Sequence, residues 1–268
     1  QPNAMGGREV GGLANQLAAH MSFHQQDLNV VREFWQAPNL AENEGLKAVD
    51  LFDAIHSGKV KAVWIMGTNP VVSMPNANKI KEALNKCDMV VVSECNADTD
   101  TARLANVIFP SSTWGEKQGT VTNSERTISL QRGFLPIPGE AKNDWEIICE
   151  FAKNMGYGEA FNYASAAEIF AEHASLSGFK SEKFSNRAFN ISKYANITAK
   201  EYNALKPVQW PLKDTQDTGT KRLFSDGKFF TDNQKAKFVV IEARLPEVSP
   251  KKNQFIMNTG RIRDQWHI

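Results

Sequence analysis

Side chains able to meet a nucleotide stand at a few well-defined places in this sequence: Asn69, Ser93, Glu94, Lys117 and Asp144. Asn69 closes the turn Gly67-Thr68-Asn69-Pro70 behind the apolar run AVWIM, which puts an amide at the mouth of an expected strand. Ser93 and Glu94 close a second apolar run, residues 89–92. Glu94 follows the first loop by about 25 residues, the spacing at which dinucleotide folds carry a carboxylate that accepts from ribose hydroxyls. Lys117 lies between Gly115 and Gly119, where an ammonium group could meet a phosphate. Asp144 opens a helix and could accept two hydrogen bonds from a guanine edge. Each has a plainer reading: an exposed strand-end acid for Glu94, and for Asp144 an acid favoured by the helix dipole. Spacing alone does not choose between them.

Arg8 sits among glycines in QPNAMGGREVGG, a guanidinium with backbone close around it that suits a small oxyanion; a salt bridge to Glu9 is the structural alternative. Neither GxGxxG nor GxxxxGK[ST] occurs, and no Ser-His-Asp or Cys-His arrangement stands out. His20 and His24 have helical spacing but no third ligand nearby, so ordinary histidines are expected there rather than a zinc pair. Cys87, Cys95 and Cys149 show no CxxC spacing and read as single buried thiols. Asn190 and Asn196 match a glycosylation sequon and read as chance matches. The near balance of 31 basic and 30 acidic residues leaves no footprint for nucleic acid or an anionic membrane, and no apolar run approaches a membrane span. Read from its residues alone, the chain is a nucleotide-type binding module without a reaction centre of its own.

The elements that must position these groups alternate. A helix ends near Gly58, a strand runs from Ala62, a helix spans about 76–86, a second strand covers 89–92, a helix spans about 98–104 and a third strand covers 107–109. This is the grammar of a parallel α/β sheet with helices on both faces, a Rossmann-like dinucleotide-binding arrangement whose ligand sits beyond the strand ends. Further helices are expected at 144–154, capped by Asn143, at 166–175, and after the capping box Thr198-x-x-Glu201. Residues 113–140 read as loops with short extended pieces. Residues 222–243 carry two strand signals, RLFSDGKFF and AKFVVIEA, and are expected to form a small β-hairpin appendage; residues 255–258 read as a last strand. The chain starts on Gln1 within a Gly-rich run and stops just after a turn, which reads as an excised piece of a longer polypeptide.

The blocks QPNAMGGREVGGLAN, VWIMGTNPVVSMPN, ADTDTARLANVIFPSSTWGEKQGTVTNSERTISLQRGF, PGEAKNDW, FFTDNQKAKF and NTGRIRDQWH, in that order, resemble the molybdopterin oxidoreductase family and, within it, the bacterial assimilatory nitrate reductase catalytic subunits. The resemblance is weakest between about Tyr157 and Asn190. It implies a Mo-bis(molybdopterin guanine dinucleotide) cofactor, with Asn69, Ser93, Glu94, Lys117 and Asp144 on one of its nucleotides. It implies that Arg8 lies at the nitrate funnel, and that Thr259, Gly260, Arg261, Ile262, Arg263, Asp264, Gln265, Trp266 and His267 begin a second cofactor-binding domain; Ile268 departs from the threonine usual there. The implied organisation is residues 1–45 from a preceding α/β domain, 46–156 as the dinucleotide-binding domain, 157–250 as helices with the β appendage, and 251–268 as the start of a C-terminal domain. The implied whole enzyme is cytoplasmic, takes nitrate and an electron donor protein or reductase subunit as partners, and carries a 4Fe–4S cluster and a molybdenum ligand outside this chain. A formate dehydrogenase-like oxidoreductase, or a stand-alone guanine-nucleotide module without redox activity, are the alternatives.

Overall fold

The computed structural model describes residues 3–181, 187–231, 233–245 and 249–257. Helices α1 (Ala4–Glu9), α2 (Gln25–Trp35) and α3 (Ala48–His56) lead to strand β1 (Ala62–Met66). Helices α4 (Pro70–Ser73) and α5 (Ala77–Lys86) separate it from β2 (Met89–Glu94), and β3 (Val107–Pro110) follows. The three strands pair in parallel in the order β1-β2-β3, so their carboxyl ends share one edge. Between β2 and β3 the expected helix is reduced to a 3-10 turn, Ala102–Leu104. Residues 95–106 are only just long enough for a parallel crossover, which ordinarily takes a dozen or more residues, and part of that length is spent on turns.

Strand periodicity sorts the side chains of this sheet. Ile65, Val90, Val92 and the partly buried Val63 and Ile108 face Phe52 and Ile55 of α3 and Ile80, Ala83 and Leu84 of α5. Burying a side chain of this size contributes about 1.5–3 kcal/mol, so this face alone outweighs the loose propensity of the short strands. Trp64 points the other way, its ring 5.7 Å from Phe109 and 5.0 Å from Phe151 of helix α6 (Asp144–Asn154). Helices therefore lie on both faces.

A second core forms around α2 and α7 (Ala166–Gly178), drawing in Leu28, Val31, Phe170, Leu176, Phe189, Ile191 and Leu212, with Tyr202 of α8 (Ala199–Asn203). Against it stands an antiparallel sheet of β4 (Gly119–Thr122), β5 (Thr127–Gln131) and β6 (Val208–Gln209). The extended pieces expected in 113–140 are thus ladder strands. The hairpin expected in 222–243 is not: the described residues there contain no strand. Turns survive there, with Gly227 at φ 73° donating to Phe224 O at 3.0 Å and Gln234 N–H donating to Thr231 O at 2.9 Å. Four consecutive apolar residues need cover on both faces, and Phe238, Val239, Val240 and Ile241 are 94%, 72%, 91% and 87% exposed. The strand expected at 255–258 fails likewise over 255–257, and Asn258 lies outside the described residues.

Candidate functional site

Beyond Met66 the chain turns at Gly67, φ +59°, whose N–H donates to Ser93 O at 3.0 Å and so ties the exit of β1 to the end of β2. Asn69 then caps α4. The fully buried Thr101 hydroxyl accepts from Val71 N–H at 3.2 Å and donates to Asn69 Oδ1 at 2.6 Å. With its oxygen fixed, the Asn69 amide presents Nδ2 as the half free to donate to a ligand. Ser93 is fully buried and accepts from Trp64 Nε1 at 2.8 Å, so its side chain supports the strand end from beneath. Glu94 Oε1 accepts from Cys95 N–H at 2.8 Å and from its thiol at 3.2 Å. That bond pushes the Cys95 thiol pKa up and keeps it protonated; Cys95 is exposed, unlike Cys87 and Cys149. The carboxylate keeps Oε2 without a partner among the described residues.

At the end of β3 a further piece of chain completes the edge. Ser111 forms a parallel bridge with Lys142, Ser112 N–H donates to Lys142 O at 2.9 Å, and Lys142 N–H donates to Pro110 O at 3.1 Å. The residues before α6 thus run beside β3 like a fourth strand. Asn143 is fixed by Ser112 Oγ at 2.9 Å, and its N–H donates to Glu146 Oε2 at 2.9 Å, which caps α6 as its sequence predicts. Asp144 is the first residue of that helix, and its Oδ2 lies 2.8 Å from Lys117 Nζ. The loop carrying Lys117 is braced by Gln131 Nε2, which donates to Trp114 O at 2.8 Å.

The two residues given separate partners from sequence are therefore partners of each other. Their side chains are 32% and 37% exposed, so the ion pair contributes about 0–1 kcal/mol and leaves capacity for a ligand. Lys117 retains further N–H donors and Asp144 retains Oδ1. Asn69, Glu94 and the Lys117–Asp144 pair lie along neighbouring strand ends, set by the registers Met66↔Ser93 and Glu94↔Pro110. Amide donor, carboxylate acceptors and ammonium are the groups that a ribose, a guanine edge and a phosphate would need, so the donor set fits a nucleotide.

Arg8 belongs to the other core. It is exposed on α1, with Nε 3.3 Å from Gln16 Oε1, and makes no salt bridge with Glu9. Glu9 is 4% exposed and accepts from Thr122 Oγ1 at 2.8 Å and Trp210 Nε1 at 2.5 Å. Burial raises its pKa to about 7, and the two hydrogen bonds offset only part of that. His20 packs at 5.2 Å from Phe189 and 5.6 Å from Trp210, an aromatic neighbour rather than a metal ligand. Among the described residues no cluster of His, Cys, Asp and Glu could hold a metal ion, and no helix is long and apolar enough to cross a membrane. Thr259, Gly260, Arg261, Ile262, Arg263, Asp264, Gln265, Trp266 and His267 lie outside the described residues.

Thr101 and Trp64 carry the strand-end geometry and were not singled out by sequence, which offers Glu9 only as a salt-bridge partner for Arg8. Thr101 sits in the polar run ADTDTARL, where its type announces nothing, and Trp64 reads as one more apolar strand residue.

A family model described as "Molybdopterin oxidoreductase" matches residues 3–154. A nitrate reductase of Shewanella frigidimarina is 48% identical over 270 residues, covering 100% of this chain and 29% of that protein. The F420-dependent formate dehydrogenase subunit alpha of Methanocaldococcus jannaschii is 35% identical over 269 residues, covering 100% of this chain and 37% of that protein. Acetylene hydratase from Pelobacter acetylenicus has a similar fold, with a TM-score of 0.53 over 87% of this chain and 27% of that one, at 18% identity. The chain thus spans about a third of the length of the curated relatives it matches.

Proposed function

Since this chain belongs to the molybdopterin oxidoreductase family, we propose that it is the segment of a nitrate reductase that grips one guanine dinucleotide of a Mo-bis(molybdopterin guanine dinucleotide) cofactor and offers Arg8 to nitrate. The 48% identity to a nitrate reductase over the whole chain carries the substrate reading. The motif QPNAMGGREVGG supports its assimilatory form.

Residues 46–156 form the Rossmann-like unit in this reading. Glu94 Oε2 accepts from ribose hydroxyls, Asn69 Nδ2 donates to the nucleotide, and Asp144, oriented by Lys117, accepts from the guanine edge while Lys117 faces phosphate. Ser93 and Trp64 hold the strand ends from below. The cofactor, when bound, supplies the two-electron oxygen-atom transfer that converts nitrate to nitrite, with electrons arriving through a 4Fe–4S cluster from a donor protein. Arg8 binds and orients the anion with a planar, permanently charged group. Residues 251–268 begin the second half of the cofactor grip, and the whole enzyme works in the cytoplasm.

Steady-state assays of the full-length enzyme test this. Nitrite formation from nitrate with a reduced dye as donor is the expected result. Formate oxidation without nitrate turnover would instead favour the second reading, a formate dehydrogenase, for which the 35% identical relative speaks.

A further inference from the structure

Helix α1 is too short to hold itself in place. It has six residues, and a helix of that length is marginal in water unless tertiary contacts fix it. Thr122 of β4 supplies contacts at both ends. Its N–H donates to Asn3 Oδ1 at 2.9 Å, ahead of the helix, and its hydroxyl donates to Glu9 Oε2 at 2.8 Å, at the last helical residue. Gly6 lies between, and a Cβ there would stand 1.9 Å from Asn3 Oδ1, so the helix sits as close as backbone allows. Trp210 N–H donates to the other oxygen of Glu9 at 2.5 Å. Consecutive helical residues are about 100° apart, which is how Glu9 is buried while Arg8 is exposed.

We propose that Glu9 is a positioning residue for Arg8: a buried carboxylate that clamps α1 to β4 and Trp210 and so fixes where the neighbouring guanidinium stands. This rests on the reading of Arg8 as the nitrate-binding arginine. The clamp has two forms. The indole N–H can only donate, so Trp210 donates to Glu9 Oε1 in both. The ionised carboxylate accepts from Thr122. The protonated acid carries its hydrogen on Oε2 and donates to Thr122, whose hydroxyl then turns its own hydrogen elsewhere. A cavity of about 90 Å³ lies alongside, lined by Asn3, Glu9, Thr120, Thr122 and His173 among others, with room for water to receive it. His173 Nε2 is shielded from solvent and lacks a partner among the described residues. The charged and titratable groups around Glu9 are Arg8 on its own helix, His173 from α7, His20 against Trp210, and Arg126, whose guanidinium lies 5.3 Å from the Trp210 ring centroid. With the Glu9 pKa at about 7, both forms are populated near neutrality.

Full-length Glu9→Ala, Glu9→Gln, Thr122→Val and Arg8→Ala enzymes test this by nitrate kinetics and amide hydrogen exchange over residues 4–12. Glu9→Ala is expected to raise the nitrate KM by about tenfold with kcat within about twofold, and to speed exchange in α1. Glu9→Gln imitates the protonated acid, accepting from Trp210 and donating to Thr122. It should restore both the KM and the exchange rate. Thr122→Val, which keeps the carboxylate, should move KM and exchange in the same direction should Glu9→Ala not fold. Unchanged exchange in Glu9→Ala and Thr122→Val overturns the clamp. Faster exchange with a wild-type KM, while Arg8→Ala still raises KM, overturns the positioning of Arg8. Faster exchange with a wild-type KM in Arg8→Ala as well keeps the clamp and overturns the nitrate reading of Arg8.

Discussion

Asp144 and Lys117 meet at 2.8 Å, yet with about a third of each side chain in solvent their mutual attraction is worth little. An ion pair with only that role would cost about 0–1 kcal/mol to remove from either side. A carboxylate that also accepts from a guanine edge costs more: Asp144→Ala is expected to weaken guanine-dinucleotide retention in the full enzyme by about 1.5–3 kcal/mol. Release and quantification of the bound nucleotide measures this, and unchanged content in Asp144→Ala refutes the role. Thr101 is the less conspicuous residue and the more exacting one. Thr101→Val strands Val71 N–H and Asn69 Oδ1 together in a buried place, with an expected cost of about 1–3 kcal/mol by denaturant midpoint and a loosened Asn69. Sequence could propose Asn69 because a turn advertises its residues. It could not propose Thr101, whose partner stands 32 residues away in the chain.

At the scale of elements, what could be read was what is locally written. α5 and α6 carry their apolar faces and caps in consecutive residues, and the expected span 144–154 is the observed one. The three parallel strands are short apolar runs closed by turn residues, and their ends place Asn69 and Glu94 along one edge. The antiparallel sheet was harder, since β4 and β6 are brought together only through β5 and lie far apart in sequence. Residues 222–243 show the converse failure. Strand-like composition yields no strand where no neighbour in the described chain offers a ladder or a covered face. Helix α1 makes the same point favourably: nothing in AMGGRE announces a helix, and its partners Thr122 and Trp210 supply what propensity lacks. Gly6→Ala raises helix propensity and should nonetheless destabilise, by about 1–3 kcal/mol, because its methyl would displace Asn3 from Thr122. A melting temperature above wild type would contradict that.

Across the whole molecule, three titratable groups of the second core, the buried Glu9 and the half-buried His20 and His173, shape how stability follows pH. Burial raises Glu9 from 4.5 to about 7. Burial lowers His20 from 6.5 to about 4, with Arg8, His173 and Arg187 adding to it, and burial alone lowers His173 from 6.5 to about 4. Between pH 4.5 and 6.5 folded Glu9 keeps a proton that the unfolded chain has released, so its contribution is lost as pH rises. Over the same interval both histidines are neutral when folded and protonated when unfolded, so theirs grows as pH rises. Two groups outweigh one, and each pKa unit is worth about 1.4 kcal/mol, so these three groups give a net gain of roughly 2 kcal/mol from pH 4.5 to 6.5. Above that the histidine contributions are still being completed, since half of the unfolded histidine is protonated at pH 6.5, and they nearly cancel the continuing decline from Glu9. Stability is therefore expected to level off near pH 7 and to stay almost flat above it. In Glu9→Gln the slope on the acid side should steepen by about half of its final value, because the opposing group is gone, and the flat limb above pH 6.5 should become a continued rise. Denaturant midpoints of this chain from pH 4.5 to 8 read both limbs. A wild-type profile in Glu9→Gln would mean that Glu9 titrates as it does in the unfolded chain, and the clamp on α1 would then hold a carboxylate that never changes its bond to Thr122 near neutral pH.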